Sequence, residues 1–299
     1  VISSIIKLIE KYENIKNIHV VWFGGEPLLG IKQIESLYRK MILIPDKNYS
    51  FSIISNGFLI SPDIIKLFKE MKLQHIQITL DGLKETHNKI KFTKNENDTF
   101  SRTIKNIDLL ASSAPEIRIS IRVNMNKENS SEFITLYSFI LQRYKSNPLI
   151  GIYPAFITST SSKSSSSCSL LFNRQEKSEF IQQLYYDRGI VTNLCGYPDS
   201  SFTECSIRNK HTFTIDPEGY LYKCWEIIGD QKYAIAKLDS EGTIQSIDQK
   251  ILNRYLYAAD PLEDKTCSKC PYLPICFGGC PHKRIENIFK DKHYDTCTY

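Results

Sequence analysis

Four closely spaced cysteines near the end of the chain constrain its fold more than any other feature. Proline and glycine interrupt the segment, whose cysteines follow the pattern CxxCx5Cx3C: Cys267, Cys270, Cys276 and Cys280. Thiols on such a broken segment cannot all share one helix face or pair comfortably with one another. They can converge on a soft metal ion or an iron–sulfur cluster. The sequence therefore predicts a metal or cluster site in the C-terminal part.

Further cysteines flank this segment. Cys205 and Cys224 stand on either side of Gly219 in the pattern Cx13Gx4C, and Cys297 follows the segment. The combined pattern of seven cysteines and one glycine resembles the SPASM domain, which carries auxiliary [4Fe–4S] clusters in radical S-adenosylmethionine (SAM) enzymes. Two zinc sites are the alternative, because tetrahedral thiolate coordination suits zinc as well as iron–sulfur clusters. Disulfides are disfavoured by the odd count of nine cysteines and by the lack of a secretory leader.

The resemblance implies a crossed set of ligands for two auxiliary clusters. Full ligation needs about eight thiolates, and Cys195 is the candidate for the eighth. If Cys195 is not a ligand, the first cluster keeps an open iron that could bind substrate. The implied sets are Cys195, Cys205, Cys224 and Cys280 for the first cluster, and Cys267, Cys270, Cys276 and Cys297 for the second.

Composition indicates an ordinary globular enzyme. The chain has 299 residues, is 41% hydrophobic and carries a formal net charge of +5 without a dense basic block. Such diffuse charge does not indicate nucleic-acid binding. Apolar runs stay well short of the ~20 residues that a membrane-spanning helix needs. We therefore predict a cytoplasmic protein with no membrane segment and no nucleic-acid partner.

Strand and helix patterns alternate through the first half of the chain. Apolar, β-branched runs such as IHVVWF and HIQITL end at glycine-containing turns, and amphipathic segments separate them. Alternation without hairpin signals predicts an α/β fold with parallel strands and right-handed crossovers. We count five strands, which resemble the six-stranded partial (β/α) barrel of radical SAM enzymes without its first strand. The predicted domains are a barrel at 1–157, a serine-rich linker at 158–194 and a cysteine-rich domain at 195–299.

The predicted strand ends resemble SAM-binding motifs. WFGGEPLL is similar to the family's GGE motif, which implies that Gly24, Gly25 and Glu26 hold the SAM amino group. ISNG and ITLDG resemble the next strand ends. Each turn taken alone is an ordinary turn, since glycine supplies positive φ and Asn or Asp bonds its own backbone. The further residues implied to face SAM are Asn56, Thr79, Asp81 and, for its carboxylate, Arg122.

The CxxxCxxC motif that binds the catalytic cluster in radical SAM enzymes does not occur in this sequence. Because the first helix resembles the one after that motif, we expect the chain to lack the N-terminal segment of a longer parent that binds a third [4Fe–4S] cluster and SAM. The alternative is a degenerate, non-catalytic relative.

By the same resemblance, the parent enzyme modifies a ribosomal peptide or protein, forming a thioether or carbon–carbon bond or oxidising a residue. It takes electrons from a ferredoxin or flavodoxin. Sulfatase maturation is the rival, but it requires an acid directly after the second motif cysteine. Trp225 stands there, and Glu226 follows. A zinc-binding interaction module remains the alternative outside this class. No individual catalytic residue can be assigned.

Overall fold

A computed structural model divides the chain into two compact units. One comprises Asn14–Gly196, and the other combines Val1–Glu13 with Tyr197–Tyr299. The structure describes residues 1–93, 97–158, 168–191 and 205–297. The sequence-based division assigned residues 1–13 to the barrel. The structure instead groups them with the C-terminal residues, because their apolar side chains pack there.

The unit 14–196 contains a five-stranded, wholly parallel sheet with the order β1-β2-β3-β4-β5. This confirms the predicted α/β fold and its five strands. The elements along the chain as far as residue 186 are α1 (Ile2–Lys11), β1 (Asn17–Trp22), α2 (Ile31–Met41), β2 (Asn48–Ser55), α3 (Pro62–Glu70), β3 (His75–Leu80), α4 (Lys84–Ile90), α5 (Thr99–Ser113), β4 (Arg118–Met125), α6 (Phe133–Arg143), β5 (Ile150–Phe156) and α7 (Arg174–Tyr186).

The two faces of this sheet differ in polarity. One face carries the apolar residues of each strand, including Ile76, Ile78 and Ile121, which are fully buried with helix residues such as Leu136. Alternate residues on the other face are polar and bonded across strands. The His75 ring bonds Ser120 Oγ at 2.9 Å. A strand alternates its side chains between faces, so the sequence pattern alone creates this polar face.

Local signals set the helix starts. Ser61 caps α3 by accepting the Ile64 N–H at 3.4 Å, and Pro62 occupies the first turn, as the sequence predicted. Asp98 caps α5 by accepting the Ser101 N–H at 3.2 Å. These caps fix where each of the two helices begins.

The other unit contains a four-stranded antiparallel sheet followed by three helices. Residues 214–215 and 220–222 form a hairpin, in which the Asp216 carboxylate accepts the Tyr220 N–H at 2.9 Å. Gly219 has φ +88°, a left-handed conformation that favours glycine. The elements are β6 (Thr214–Ile215), β7 (Tyr220–Tyr222), β8 (Ala236–Leu238), β9 (Ile244–Gln245), α8 (Gln249–Leu256), α9 (Leu273–Cys276) and α10 (Pro281–Lys290).

Helix α1 completes the core of this unit. Leu8 is buried together with Leu221, Ile235 and Leu238. Gly242 has φ +66° and lies so close to the α1 backbone that a Cβ there would come within 2.7 Å of the Leu8 nitrogen. A second cluster, around Tyr222, Tyr255 and Ile285, lies beside the cysteines. None of the helices that the structure describes is both long and apolar enough to cross a bilayer.

Candidate cofactor and cluster sites

The Glu26 carboxylate joins the ends of β1 and β2. Its Oε1 accepts the Leu28 N–H at 3.0 Å and the Ser55 hydroxyl at 2.8 Å, and its Oε2 accepts the Asn56 N–H at 2.8 Å. A carboxylate offers about four lone-pair positions, so one remains. Glu26 therefore fixes the two strand ends first and keeps limited capacity for a cationic ligand.

The turn before Glu26 is open. Gly24 has φ +147°, a conformation that side chains rarely adopt, and both Gly24 and Gly25 are exposed. A Cβ built on either glycine meets no other atom within 4 Å. Backbone N–H and carbonyl groups can therefore approach a ligand closely at this turn.

A second set of hydrogen bonds, around Asp81, joins the ends of β3 and β4. Asp81 is 4% exposed, and its Oδ1 accepts from Asn124 Nδ2 at 3.1 Å. Asn129 Nδ2 donates to the Asp81 carbonyl at 2.7 Å. Asp81 Oδ2 is buried without a hydrogen-bond partner among the described residues, and Lys91 Nζ lies 3.9 Å from it. This carboxylate therefore retains a free acceptor at the edge of the sheet where the strands end.

Arg122 and Thr79 stand in register on neighbouring strands. Arg122 Nε is buried and has no hydrogen-bond partner within the described part of the chain. Burial raises the pKa of Tyr153, and the Arg122 guanidinium works to lower it, which places the two side chains near each other. The Tyr153 hydroxyl donates to Gln77 Oε1 at 2.7 Å. Arg122 therefore adds a cation to the polar face of the sheet.

These residues fit the polar end of SAM. An ammonium needs acceptors and a carboxylate needs donors. The sheet offers a buried acceptor on Asp81 and a remaining lone pair on Glu26 at the edge where the strands end, and a buried donor on Arg122 on its polar face. The structure shows Asn56 and Glu26 bonded to each other. It shows no bond between the Glu26 pair and the Asp81 pair among the described residues, so the two groups stand separately on that edge.

Among the predicted ligands of the first cluster, Cys224 lies near Cys205 and Cys280. Burial raises the pKa of the Cys224 thiol to about 12, and the neighbouring thiols of Cys280 and Cys205 add to this effect. Burial also raises the pKa of Cys280, which is the N-cap of α10. Metal binding must remove these protons. Cys195, the fourth predicted ligand, lies outside the described residues.

The second cysteine group lies around a tight turn. Phe277, Gly278 and Gly279 all have positive φ, of 51°, 80° and 71°. A Cβ on Gly279 would overlap the Thr296 carbonyl, so the segment that carries Cys297 passes directly against this turn. Gly279 therefore allows the segment that carries Cys297 to approach this turn, and Gly278 allows the close approach of Pro261.

Seven cysteines of the described residues are free thiols. No three Cys, His, Asp or Glu side chains in the described ranges form a group that could hold a single metal ion. The ligands of a single ion lie closer to one another than the four cysteines that bind a [4Fe–4S] cluster. The arrangement therefore offers no ready-made zinc site, and the complete ligand sets stay predictions.

Sequence reasoning missed the residues that hold the strand ends in place. Ser55, Asn124 and Asn129 bond the Glu26 and Asp81 groups. Glu132 accepts the Leu83 N–H at 2.6 Å and so fixes the turn after Asp81. Ser55 directly precedes Asn56 in the ISNG stretch that the sequence analysis singled out, so its position was a usable signal.

Comparisons with known proteins identify the family that the sequence resembles. Residues 1–140 match the Radical SAM superfamily. The cysteine-type anaerobic sulfatase-maturating enzyme of Clostridium novyi is 25% identical over 89% of this chain and 73% of its own length. The radical SAM cyclopropyl synthase TigE of Paramaledivibacter caminithermalis is 31% identical over 97% of this chain and 61% of its own length.

A solved structure supports the fold assignment. Native anSMEcpe with bound AdoMet and a peptide superimposes with a TM-score of 0.70 and 18% identity, covering 100% of this chain and 84% of that one. At this identity the likeness shows the fold alone. The predicted radical SAM resemblance is thus confirmed in both sequence and fold.

Proposed function

We propose that this chain, whose residues 1–140 match the Radical SAM superfamily, belongs to an enzyme that modifies a ribosomally made peptide or protein. The support for the proposal is the family match of residues 1–140 together with the cysteine pattern of residues 205–297, in which Cys224 lies near Cys205 and Cys280. Thiols shared between two cysteine motifs are typical of auxiliary cluster ligation in the SPASM domain.

SAM binding is assigned to the edge of the sheet at the strand ends. In the proposal, the open Gly24-Gly25 backbone and the remaining lone pair of Glu26 accept the SAM ammonium. Asn56, Thr79 and Asp81 line the same edge, and Arg122 binds the carboxylate. The support is the free acceptor on Asp81 and the free donor on Arg122. When bound, SAM and its [4Fe–4S] cluster supply the radical that removes a hydrogen atom from the substrate.

A peptide substrate is supported by the related fold. The anSMEcpe structure contains a bound peptide beside AdoMet. The polar face of the sheet in this chain carries hydrogen-bonding groups, including His75, Gln77 and Tyr153. These groups suit a backbone or polar side chain rather than an apolar ligand. We propose that two auxiliary clusters accept the electron left after hydrogen abstraction, and that a ferredoxin or flavodoxin reduces the enzyme.

Sulfatase maturation is the second candidate. It is favoured by the 25% identity to the Clostridium novyi enzyme over 89% of the chain. Trp225, 59% exposed, occupies the position after Cys224 where that activity is expected to need an acid. Glu226 stands one residue later. Burial raises the pKa of Cys280, and the nearby Glu226 carboxylate adds to this effect. An acid is therefore near the cysteines, but one position further along the chain.

Anaerobic reconstitution tests the cluster part of this proposal. Wild-type chain is expected to bind about eight irons and the matching sulfide, and to show the broad visible absorption of iron–sulfur clusters. Cys224→Ala should lose about four irons. Cys168→Ala, which removes a cysteine outside both predicted sets, should lose none. Two bound zinc ions and no colour would instead support the interaction module.

Activity is tested with the complete gene product. Reductive cleavage of SAM is expected and should fall at least tenfold in Arg122→Gln. Incubation with candidate ribosomal peptides and with a sulfatase-derived peptide, followed by mass spectrometry, separates the two substrates. Absence of SAM cleavage by a fully reconstituted gene product would refute the enzyme proposal.

A further inference from the structure

A buried arginine in the C-terminal unit contacts a predicted cluster ligand directly. Arg284 lies on α10, one turn after Cys280, and is 5% exposed. Its Nη2 donates to Cys267 Sγ at 3.1 Å and to the Gly278 carbonyl at 2.9 Å, and its Nη1 donates to Asp264 Oδ2 at 2.7 Å. The guanidinium therefore connects a predicted ligand of the second cluster to the helix that begins at a predicted ligand of the first.

The surroundings of Arg284 do not fully compensate its charge. A buried cation costs several kcal/mol unless it is paired. The Asp264 side chain that pairs with it is 37% exposed and also accepts the Cys267 N–H at 3.0 Å. Arg284 Nε is buried and lacks a hydrogen-bond partner among the described residues. Further negative charge next to the guanidinium would therefore stabilise this arrangement.

The Cys267 sulfur is the group that can supply such charge. A thiol is a weak acceptor, whereas a thiolate forms a charge-assisted bond. The 3.1 Å contact thus has its full strength when Cys267 is deprotonated, the form in which cysteine binds metals.

We propose that Arg284 is a positioning residue that orients Cys267 for the second auxiliary cluster and raises the reduction potential of that cluster. This inference rests on the proposed function, because it requires the cluster to bind. Reduction adds one electron and makes the cluster more negative. A donor and a positive charge at a ligand sulfur therefore stabilise the reduced form more than the oxidised form.

The test isolates the second cluster. In a Cys205→Ala, Cys224→Ala background, which removes ligands of the first cluster, the reconstituted chain is titrated with dithionite under an electron paramagnetic resonance readout. Arg284→Gln should lower the ratio of reduced to oxidised cluster about tenfold at a fixed potential, equivalent to about 59 mV for a one-electron couple. Arg284→Lys keeps the charge but loses the planar guanidinium. Its ratio of reduced to oxidised cluster should lie between that of Arg284→Gln and that of the chain with Arg284 intact. Arg254→Gln is the matched control, since Arg254 stacks on Phe289 at 4.2 Å.

Each outcome decides between the proposals. Equal potentials for Arg284→Gln and Arg254→Gln, with a lower melting temperature only for the former, would give Arg284 a structural role and overturn the inference while the proposed function stands. A folded Arg284→Gln chain that loses the iron of the second cluster supports the positioning role. If Arg284→Gln does not fold, Arg284→Lys decides alone. Failure of the wild-type chain to bind iron would overturn both.

Discussion

Replacing Glu26 with glutamine should weaken the junction between β1 and β2 by a calculable amount. The substitution keeps one oxygen, which can still accept from Leu28 and Ser55. It places an NH2 group where Oε2 accepts the Asn56 N–H at 2.8 Å, so two donors face each other. Losing a bond to a charged acceptor and leaving its partner unpaired costs about 1.5–3 kcal/mol. We expect Glu26→Gln to destabilise the unit 14–196 by this amount.

Urea unfolding measures this change in one unit at a time. The chain has two tryptophans. In a Trp225→Phe background the remaining fluorescence comes from Trp22 on β1. With a typical slope of ~2 kcal/mol per molar urea, the midpoint should fall by about 1 M. Glu35→Gln is the matched control: its side chain, 41% exposed, pairs with Arg39 on the surface of α2, and it should cost only about 0.3–0.5 kcal/mol. Equal midpoints for the two variants would refute the assigned role of Glu26.

Three further predictions use the same unit-specific signals. Gly57→Ala should cost about 2–3 kcal/mol, because Gly57 has φ +75° and its Cβ would lie 2.9 Å from Ile78 Cγ2; Trp22 fluorescence in urea measures this. Burial raises the pKa of Asp108, but the bonds from Arg143 outweigh burial and lower the pKa of this carboxylate. Its stabilising effect is therefore present above the usual carboxyl pKa and is lost as pH falls through the lowered one, so thermal melts from pH 7 to about pH 3 should show a steeper loss in wild type than in Asp108→Asn. Chelating iron from the reconstituted chain should lower the urea midpoint followed by Trp225 in a Trp22→Phe background, and an unchanged midpoint would contradict a structural role for the clusters.

Periodicity and turn chemistry predicted the fold well because the relevant signals are local. Runs such as HIQITL alternate buried and half-buried residues, and glycine follows the strand ends at Asn56 and Asp81. The hairpin at Asp216 and the left-handed Gly219 were likewise predictable from four consecutive residues. In each case the physical cause lies within a few residues along the chain.

Interactions between distant residues could not be predicted in the same way. The contact between Arg284 and Cys267 depends on the turn at Gly278 and on the approach of Asp264, which no spacing rule contains. The same holds for Glu26 with Ser55, which are separated by a full helix. The sequence placed Arg122 on the correct strand, but its unsatisfied Nε is visible only in three dimensions.

The location of Leu8 has a consequence for biosynthesis. A ribosome delivers the helix that carries it before any of the parallel sheet, yet Leu221, Ile235 and Leu238, against which it packs, are made more than a hundred and fifty residues later. During translation its apolar stripe must stay uncovered until the strands that carry these residues have emerged. Helix α1 can therefore complete its packing only after the whole parallel sheet has been made.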